Sequence, residues 1–125
     1  MPQNSRKIRV AVDAMGGDYA PDEVVKGAIL AAQKNDVEIA LVGSMDTLKR
    51  ELSKHNSSDS LPIHLVQADG ILEEGESPAL VLRRKSNCSI AVAAKLVKAD
   101  EADALVGARS SGAVAVSALQ FIGML

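Results

Sequence analysis

The stretch IRVAVDAMGGDYAP, residues 8–21, decides how the rest of the chain is interpreted. Its first five residues, Ile8–Val12, are mostly apolar and β-branched, which predicts a buried β-strand. Two carboxylates and two adjacent glycines then lead to Pro21 and an apolar-periodic run. Proline is tolerated in the first turn of a helix, and acidic residues there interact favourably with the helix dipole. The stretch therefore predicts a strand, a glycine-rich loop and a helix, and such a loop can bind an anion through backbone N–H groups.

The glycine pair in this loop is not specific by itself, since a plain tight turn also explains Gly16 and Gly17. The dinucleotide-binding pattern needs a third spaced glycine and the P-loop pattern needs Gly-Lys-Ser/Thr, and neither is present. Asp13 and Asp18 could bind a ligand or take a proton, but carboxylates at these positions also form hydrogen bonds within loops and at helix N-termini. These four residues form the first candidate group of a phosphate site.

The composition is that of a globular protein with an aliphatic core. Of the 125 residues, 47% are hydrophobic and only 2% are aromatic, which suits a parallel sheet covered by helices. The net charge of −2 and the scarcity of aromatic residues argue against a nucleic-acid partner. Cys88 is the only cysteine, which excludes a disulfide within the chain, and it is expected to be a small buried hydrophobe. No signal peptide or membrane-spanning run is recognisable, so a cytoplasmic location is expected.

Hydrophobic periodicity predicts an alternation of strands and helices along the chain. Within the first helix, Gly27 is expected to permit close packing on the sheet, and Ser44 is expected to cap the second helix. The alternation predicts βαβ units, a mostly parallel sheet and an α/β fold. Further strands are predicted at 37–42, 63–68 and 104–107, and helices at 21–35, 45–55, 77–85, 90–98 and from 113 onward.

Ligands of such sheets bind beyond the carboxyl ends of the strands, where four loops are expected to lie. These loops are 13–20, 43–44, 69–77 and 108–112, and the turn at 83–89 is a candidate to join them. In that turn Arg84, Lys85 and Ser89 combine cations with a hydroxyl at a helix start, which suits a phosphate. The same cations also suit a solvated helix end, where they meet the carbonyl groups of the preceding helix.

The loop after the fourth strand also combines a cation with hydroxyl groups before a predicted helix. Arg109 offers a bidentate guanidinium group, Ser110 and Ser111 offer hydroxyl groups, and Gly112 allows the backbone to approach a ligand closely. A helix-capping loop with an exposed arginine explains these residues equally well.

Other kinds of site find little support in the sequence. His55 and His64 lack the spacing of metal ligands and are expected to be surface residues, so neither a metal nor a cofactor is expected. No Ser-His-Asp or Cys-His arrangement indicates a covalent nucleophile. From the residues alone, the chain is expected to be an α/β domain that binds a phosphate-bearing small molecule.

The segment Val12–Pro21 strongly resembles the opening signature of the bacterial phosphate acyltransferases of phospholipid synthesis (PlsX). The match runs through most of the chain. Leu41–Gly43 resembles the second strand of that family, Glu76–Lys85 with Ser89 resembles its cationic helix and the following turn, and Ala102–Val106 resembles the strand before its glycine-rich loop.

This resemblance implies a reaction that joins inorganic phosphate to the acyl group of acyl carrier protein and releases an acyl phosphate. It implies a Rossmann-like three-layer α/β/α sandwich with a mostly parallel sheet, related to isocitrate- and isopropylmalate-type dehydrogenases and to phosphotransacetylases. It further implies a cytoplasmic homodimer, loosely associated with the membrane, that uses no cofactor.

The chain departs from the family pattern in the fourth loop. The family typically has Ser-Ala-Gly-Asn-Thr-Gly-Ala where this chain has Gly107–Ala113, so that Arg109 replaces a glycine. Arg109 either adds phosphate affinity or obstructs a pocket shaped for the smaller residue. Residues 1–125 are expected to be the N-terminal α/β domain of a longer protein, and the isolated chain is expected to lack further active-site residues. Two alternatives remain: an acyl-phosphate-handling subunit of an amino-acid reductase complex, and a non-catalytic module that binds phosphate or acyl carrier protein.

Overall fold

Four parallel strands form a sheet at the centre of the part of the chain that the structure describes. The structure is a computed structural model, and it describes residues 7–17, 20–34, 36–55, 61–69 and 88–107. The sheet has the order β3-β2-β1-β4. Its elements are, in chain order, β1 (Ile8–Asp13), α1 (Asp22–Lys34), β2 (Val37–Gly43), α2 (Met45–Lys54), β3 (Ile63–Gln67), α3 (Ser89–Lys98) and β4 (Ala104–Gly107).

The strand order reverses direction at β1. From β1 the chain moves outward to β2 and β3, and it then crosses back so that β4 pairs with the other side of β1. At the carboxyl end of β1, Asp13 lies opposite Val42 of β2 and opposite Gly107 of β4. The loops that follow β1 and β4 therefore begin at neighbouring positions, and this is where doubly wound sheets bind ligands.

Helices cover both faces of the sheet and make three layers. Val12 and Leu41 belong to a core cluster formed with α1 and α2, in which Leu48 of α2 is completely buried. The neighbouring residues Ala11 and Val42 belong instead to a cluster that contains Ala93 of α3. Because successive side chains of a strand point to opposite faces, the two clusters lie on opposite sides of the sheet. The predicted three-layer α/β/α arrangement with an aliphatic core is confirmed.

Hydrogen bonds and ion pairs of charged residues link the amino ends of β1, β2 and β4. The backbone N–H of Arg9 donates to Asp103 Oδ2 at 2.9 Å, and the N–H of Asp103 donates to the Arg9 carbonyl at 2.7 Å. Arg9 Nη2 also donates to Glu38 Oε2 at 3.3 Å, while His64 Nε2 lies 3.5 Å from Glu38 Oε1. Burial raises the pKa of Glu38, but the hydrogen bond and charge of Arg9, together with those of His64, outweigh burial and hold this pKa below its usual value. The ion pair consequently stabilises the fold at neutral pH, and this contribution is lost as the pH falls through the lowered pKa.

The predicted elements agree with the structure to within one or two residues wherever the structure describes them. Ser44 caps α2 as predicted, since its side chain accepts a hydrogen bond from the N–H of Thr47. Cys88 is buried and unbridged, also as predicted. The helices predicted at 77–85 and from 113 onward lie outside the described residues. Among the described helices, none combines the length and the apolar character needed to cross a bilayer.

The interpretation of Gly27 was wrong. A Cβ atom placed at Gly27 would meet nothing within 4 Å, so this glycine is not required for close packing of α1 on the sheet. It lines a cavity instead.

The core provides a matched pair of substitutions. Leu48 is completely buried, whereas Leu30 on α1 is 48% exposed. We expect Leu48→Ala to lower the free energy of unfolding by about 2–5 kcal/mol, because it removes buried methyl groups and leaves a cavity. Leu30→Ala should change it by less than about 1 kcal/mol. Urea denaturation followed by circular dichroism measures both values, and equal losses for the two variants would contradict the described position of α2.

Candidate functional site

The carboxyl end of β1 is shaped by a buried carboxylate. Asp13 is completely buried, and its Oδ1 accepts a hydrogen bond from the N–H of Met15 at 3.0 Å. Between these two residues, the N–H of Ala14 donates to the carbonyl of Val42 at 2.9 Å and continues the pairing with β2. Such a side chain to backbone bond two residues ahead is typical of an aspartate that closes a turn. The Asp13 carboxylate thus directs the chain out of the strand and into the glycine loop.

The glycine loop needs glycine at its second position. Gly17 has a φ of 97°, a backbone conformation that side chains rarely allow. Gly16 is buried while Gly17 is exposed. The loop then leads to α1, whose first regular hydrogen bond joins the N–H of Val25 to the carbonyl of Pro21 at 2.9 Å. A loop of this kind presents backbone amides next to the positive end of a helix.

Met15 connects this loop to the end of β2. A Cβ atom at Gly43 would lie 2.7 Å from Met15 Cγ and 2.9 Å from Met15 Sδ. Any larger residue at position 43 would therefore require the Met15 side chain to shift. The packing of Met15 on Gly43 holds the beginning of the loop against the sheet, and the local sequence pattern contains no signal for it.

The loop at 43–44 follows the carboxyl end of β2, but backbone amides next to it are already engaged by groups of the protein. The N–H of Met45 donates to Gln67 Oε1 at 2.9 Å, and the N–H of Thr47 donates to Ser44 Oγ. These bonds occupy amides of the first turn of α2 with groups of the protein itself. Gln67 comes from the end of β3, a partner that the sequence pattern does not reveal.

The first turn of α3 lies at the same edge as the glycine loop. After α3, Asp103 bonds to the start of β1, which places the end of the helix at the opposite edge. A helix of ten residues is about 15 Å long, close to the length of a short strand, so its first residue, Ser89, returns to the carboxyl edge. Ser89 is completely buried, and its hydroxyl has no hydrogen-bond partner among the described residues.

Several predicted site residues lie outside the described part of the chain. The structure brings together the loop with Gly16 and Gly17, the buried Asp13 and the end of β4, and it places Ser89 at the same edge. The roles of Asp13, Gly16, Gly17 and Ser89 in binding phosphate remain predictions. The residues outside the described part are Asp18, Arg84, Lys85, Arg109, Ser110, Ser111 and Gly112.

An apolar cavity of about 780 Å³ opens beside the glycine loop. Gly16, Gly17 and Ala20 line it at the carboxyl edge, while Val10 and Ile39 line it further along the sheet. Val106 of β4 also faces it and is half exposed. The cavity therefore runs from the loop along the strands, between α1 and the sheet. Its lining is almost wholly aliphatic, and Glu23 is the one charged residue that contributes to it within the described residues.

Comparison with known proteins decides the family. The sequence model of the family described as "Fatty acid synthesis protein" matches residues 8–125. The chain belongs to this family. The resemblance to bacterial phosphate acyltransferases is thereby confirmed, since relatives in the family carry that name.

Three relatives named "Phosphate acyltransferase" illustrate the similarity. The protein of Acaryochloris marina (strain MBIC 11017) is 44% identical over 119 residues, which are 95% of this chain and 34% of the relative. The protein of Thermosynechococcus vestitus (strain NIES-2133 / IAM M-273 / BP-1) is 45% identical over 98% of this chain and 35% of its own length. The protein of Gloeobacter violaceus (strain ATCC 29082 / PCC 7421) is 46% identical over 96% of this chain and 35% of its own length. This member of the fatty acid synthesis protein family thus spans about a third of the length of these relatives.

The turn formed by Asp13 can be tested by two substitutions, one that removes the acceptor oxygen and one that keeps it. We expect Asp13→Ala to lower the free energy of unfolding by about 1–3 kcal/mol, because the partly buried N–H of Met15 loses its acceptor. Asp13→Asn keeps an oxygen acceptor and should retain most of this stability. Chemical denaturation compares the two variants, and an equal loss for Asn and Ala would show that the negative charge, and not the turn, is what the fold requires.

Proposed function

We propose that the chain is the N-terminal domain of an enzyme that transfers a fatty acyl group from acyl carrier protein to inorganic phosphate. The observation that carries this proposal is the meeting of the β1 and β4 carboxyl ends, with the glycine loop and an apolar cavity beside them. Backbone amides suit the phosphate, and the cavity suits the acyl chain. Membership of the fatty acid synthesis protein family and the name of its relatives, phosphate acyltransferase, support the same reaction.

In this proposal the phosphate lies between the first and fourth loops. The backbone amides of Gly16 and Gly17 and the positive end of α1 hold part of the anion. Arg109, with the Ser110 and Ser111 hydroxyl groups, binds it from the β4 side, because residues 108–112 directly follow Gly107. Arg84 and Lys85 supply further positive charge. An anion so close to Asp13 needs these cations, since the carboxylate by itself would repel it.

The reaction is a displacement at the thioester carbonyl carbon. A phosphate oxygen attacks this carbon, and the carbonyl oxygen becomes an oxyanion in the tetrahedral intermediate. The C–S bond then breaks, and the proton of hydrogen phosphate ends on the thiolate of acyl carrier protein. The products are an acyl phosphate and the free thiol. Loop amides that hold phosphate beside the thioester would lower the barrier through proximity and through hydrogen bonds to the oxyanion.

The cavity between α1 and the sheet is proposed to hold the acyl chain. Its aliphatic lining removes methylene groups from water, and each buried methylene contributes about 0.8 kcal/mol. The opening at Gly16 and Gly17 would place the reactive carbonyl group at the phosphate site. We further propose that the protein is a cytoplasmic homodimer that associates with the membrane surface. Its acyl phosphate product would be used there to build membrane lipids.

The proposal is tested in a chimera that continues this chain with the remaining residues of the Acaryochloris marina relative. We expect phosphate-dependent release of free acyl carrier protein and formation of an acyl phosphate that hydroxylamine traps as a hydroxamate. The whole relative serves as the positive control, and circular dichroism verifies that the chimera is folded. A folded chimera that binds acyl carrier protein but forms no acyl phosphate would refute the proposal in favour of a binding module.

The same assay separates the two roles considered for Arg109. If its guanidinium group binds phosphate, Arg109→Gly should raise the phosphate KM by about tenfold, the usual scale for a hydrogen bond to a charged group. Arg50→Ala, which removes an exposed arginine on α2, should leave that KM unchanged. A lower KM in Arg109→Gly would instead assign Arg109 an obstructing role.

A further inference from the structure

Three side chains of types that can bind a metal meet between the start of α1 and the end of α2, at a place that the proposed reaction does not use. Asp22 begins α1, Glu51 lies in the last turns of α2, and His55 follows the end of α2. Each offers one ligand atom, and these atoms lie within 4.8 Å of one another. His55 Nε2 is only 2.9 Å from Asp22 Oδ1. Glu51 and His55 are four residues apart, the spacing that puts two side chains on one face of a helix.

The buried Glu51 side chain supplies an independent observation. Only 10% of its side-chain surface is exposed, and its Oε1 is buried with no hydrogen-bond partner among the described residues. Its other oxygen, Oε2, accepts from Lys54 Nζ at 3.1 Å. A buried carboxylate oxygen without a partner carries a desolvation cost that a bound cation would remove. Lys54 uses Oε2, so Oε1 is the atom left to bind such a cation.

From these contacts we infer that Asp22, Glu51 and His55 form a zinc site that ties the first turn of α1 to the end of α2. One imidazole nitrogen and two carboxylate oxygens are a donor set that Zn²⁺ accepts, whereas Mg²⁺ and Ca²⁺ prefer oxygen donors alone. The Asp22 side chain is 51% exposed, so water can complete a tetrahedral coordination from the solvent side.

The required movement is small. Ligand atoms about 2.1 Å from a tetrahedral zinc ion are separated from each other by about 3.4 Å. The His55–Asp22 pair at 2.9 Å must therefore open slightly, and the Glu51 oxygen must move toward the pair. Zinc would replace the direct contact between His55 and Asp22. The sequence predicted no metal site because the two histidines lack the spacing of metal ligands. Spacing along the chain does not reveal that Asp22, from another helix, lies beside His55.

The site is tested with the chain freed of metal by EDTA and titrated with zinc chloride alone at about pH 7, where imidazole and carboxylates can bind. We expect saturable binding of one zinc ion per chain in calorimetry, weakened by about tenfold or more in Glu51→Gln and in His55→Asn. His64→Asn is the matched control, because His64 lies 3.5 Å from Glu38 on a different part of the surface. Its affinity for zinc should stay within about twofold of the unsubstituted chain.

A second measurement needs no substitution. Histidine side-chain NMR signals of His55 should shift in proportion to added zinc up to one equivalent, while those of His64 stay in place. Magnesium chloride should leave both unchanged. The inference is overturned if no saturable site is found, if His64→Asn weakens binding as much as His55→Asn, or if the His64 signals shift first.

Discussion

The pairing of β1 with β2 on one side and with β4 on the other is the constraint on which the rest of the structure depends. β1 lies between them in parallel register, so that its last residue, Asp13, has a partner on both sides. This arrangement makes β1 the point where the strand order reverses. The loops after β1 and β4 then leave the sheet side by side. Helices cover both faces of the sheet. The strand order alone therefore predicts a ligand site between the two loops.

Local chemistry then gives this edge its form. The Asp13 carboxylate closes the turn after β1, Gly17 takes up a backbone conformation with positive φ, and Met15 packs where Gly43 leaves room. By contrast, the first turn of α2 uses its amides for bonds to Ser44 and Gln67. The anion site is therefore expected at the β1 loop. The cavity next to it begins at the backbone of this loop and is lined further along by aliphatic side chains. The proposed reaction would use this boundary, with the phosphate on the polar side and the acyl chain on the aliphatic side.

Much of this fold could be predicted because its signals are local. Apolar periodicity located the strands and helices, and Ser44 was recognisable as a cap because capping depends on a few adjacent residues. The packing of Met15 on Gly43, the open position of Gly27 and the convergence of Asp22 with His55 could not be predicted. Each of these depends on the distance between elements that are far apart in the sequence. The family signature pointed to the carboxyl edge of the sheet as the place of the site, and both this place and the roles of the cations remain predictions.

The most direct test of the central claim is a phosphate titration of the ¹⁵N-labelled chain, followed through its backbone amide signals by NMR. We expect the signals of Gly16, Gly17 and Gly107 to shift together along one saturation curve, because all three lie where the β1 and β4 loops begin. Signals of Arg9 and Glu38 at the opposite edge should stay in place. Shifts confined to the first turn of α2, or an absence of saturable shifts at the three glycines, would contradict an anion site between these two loops.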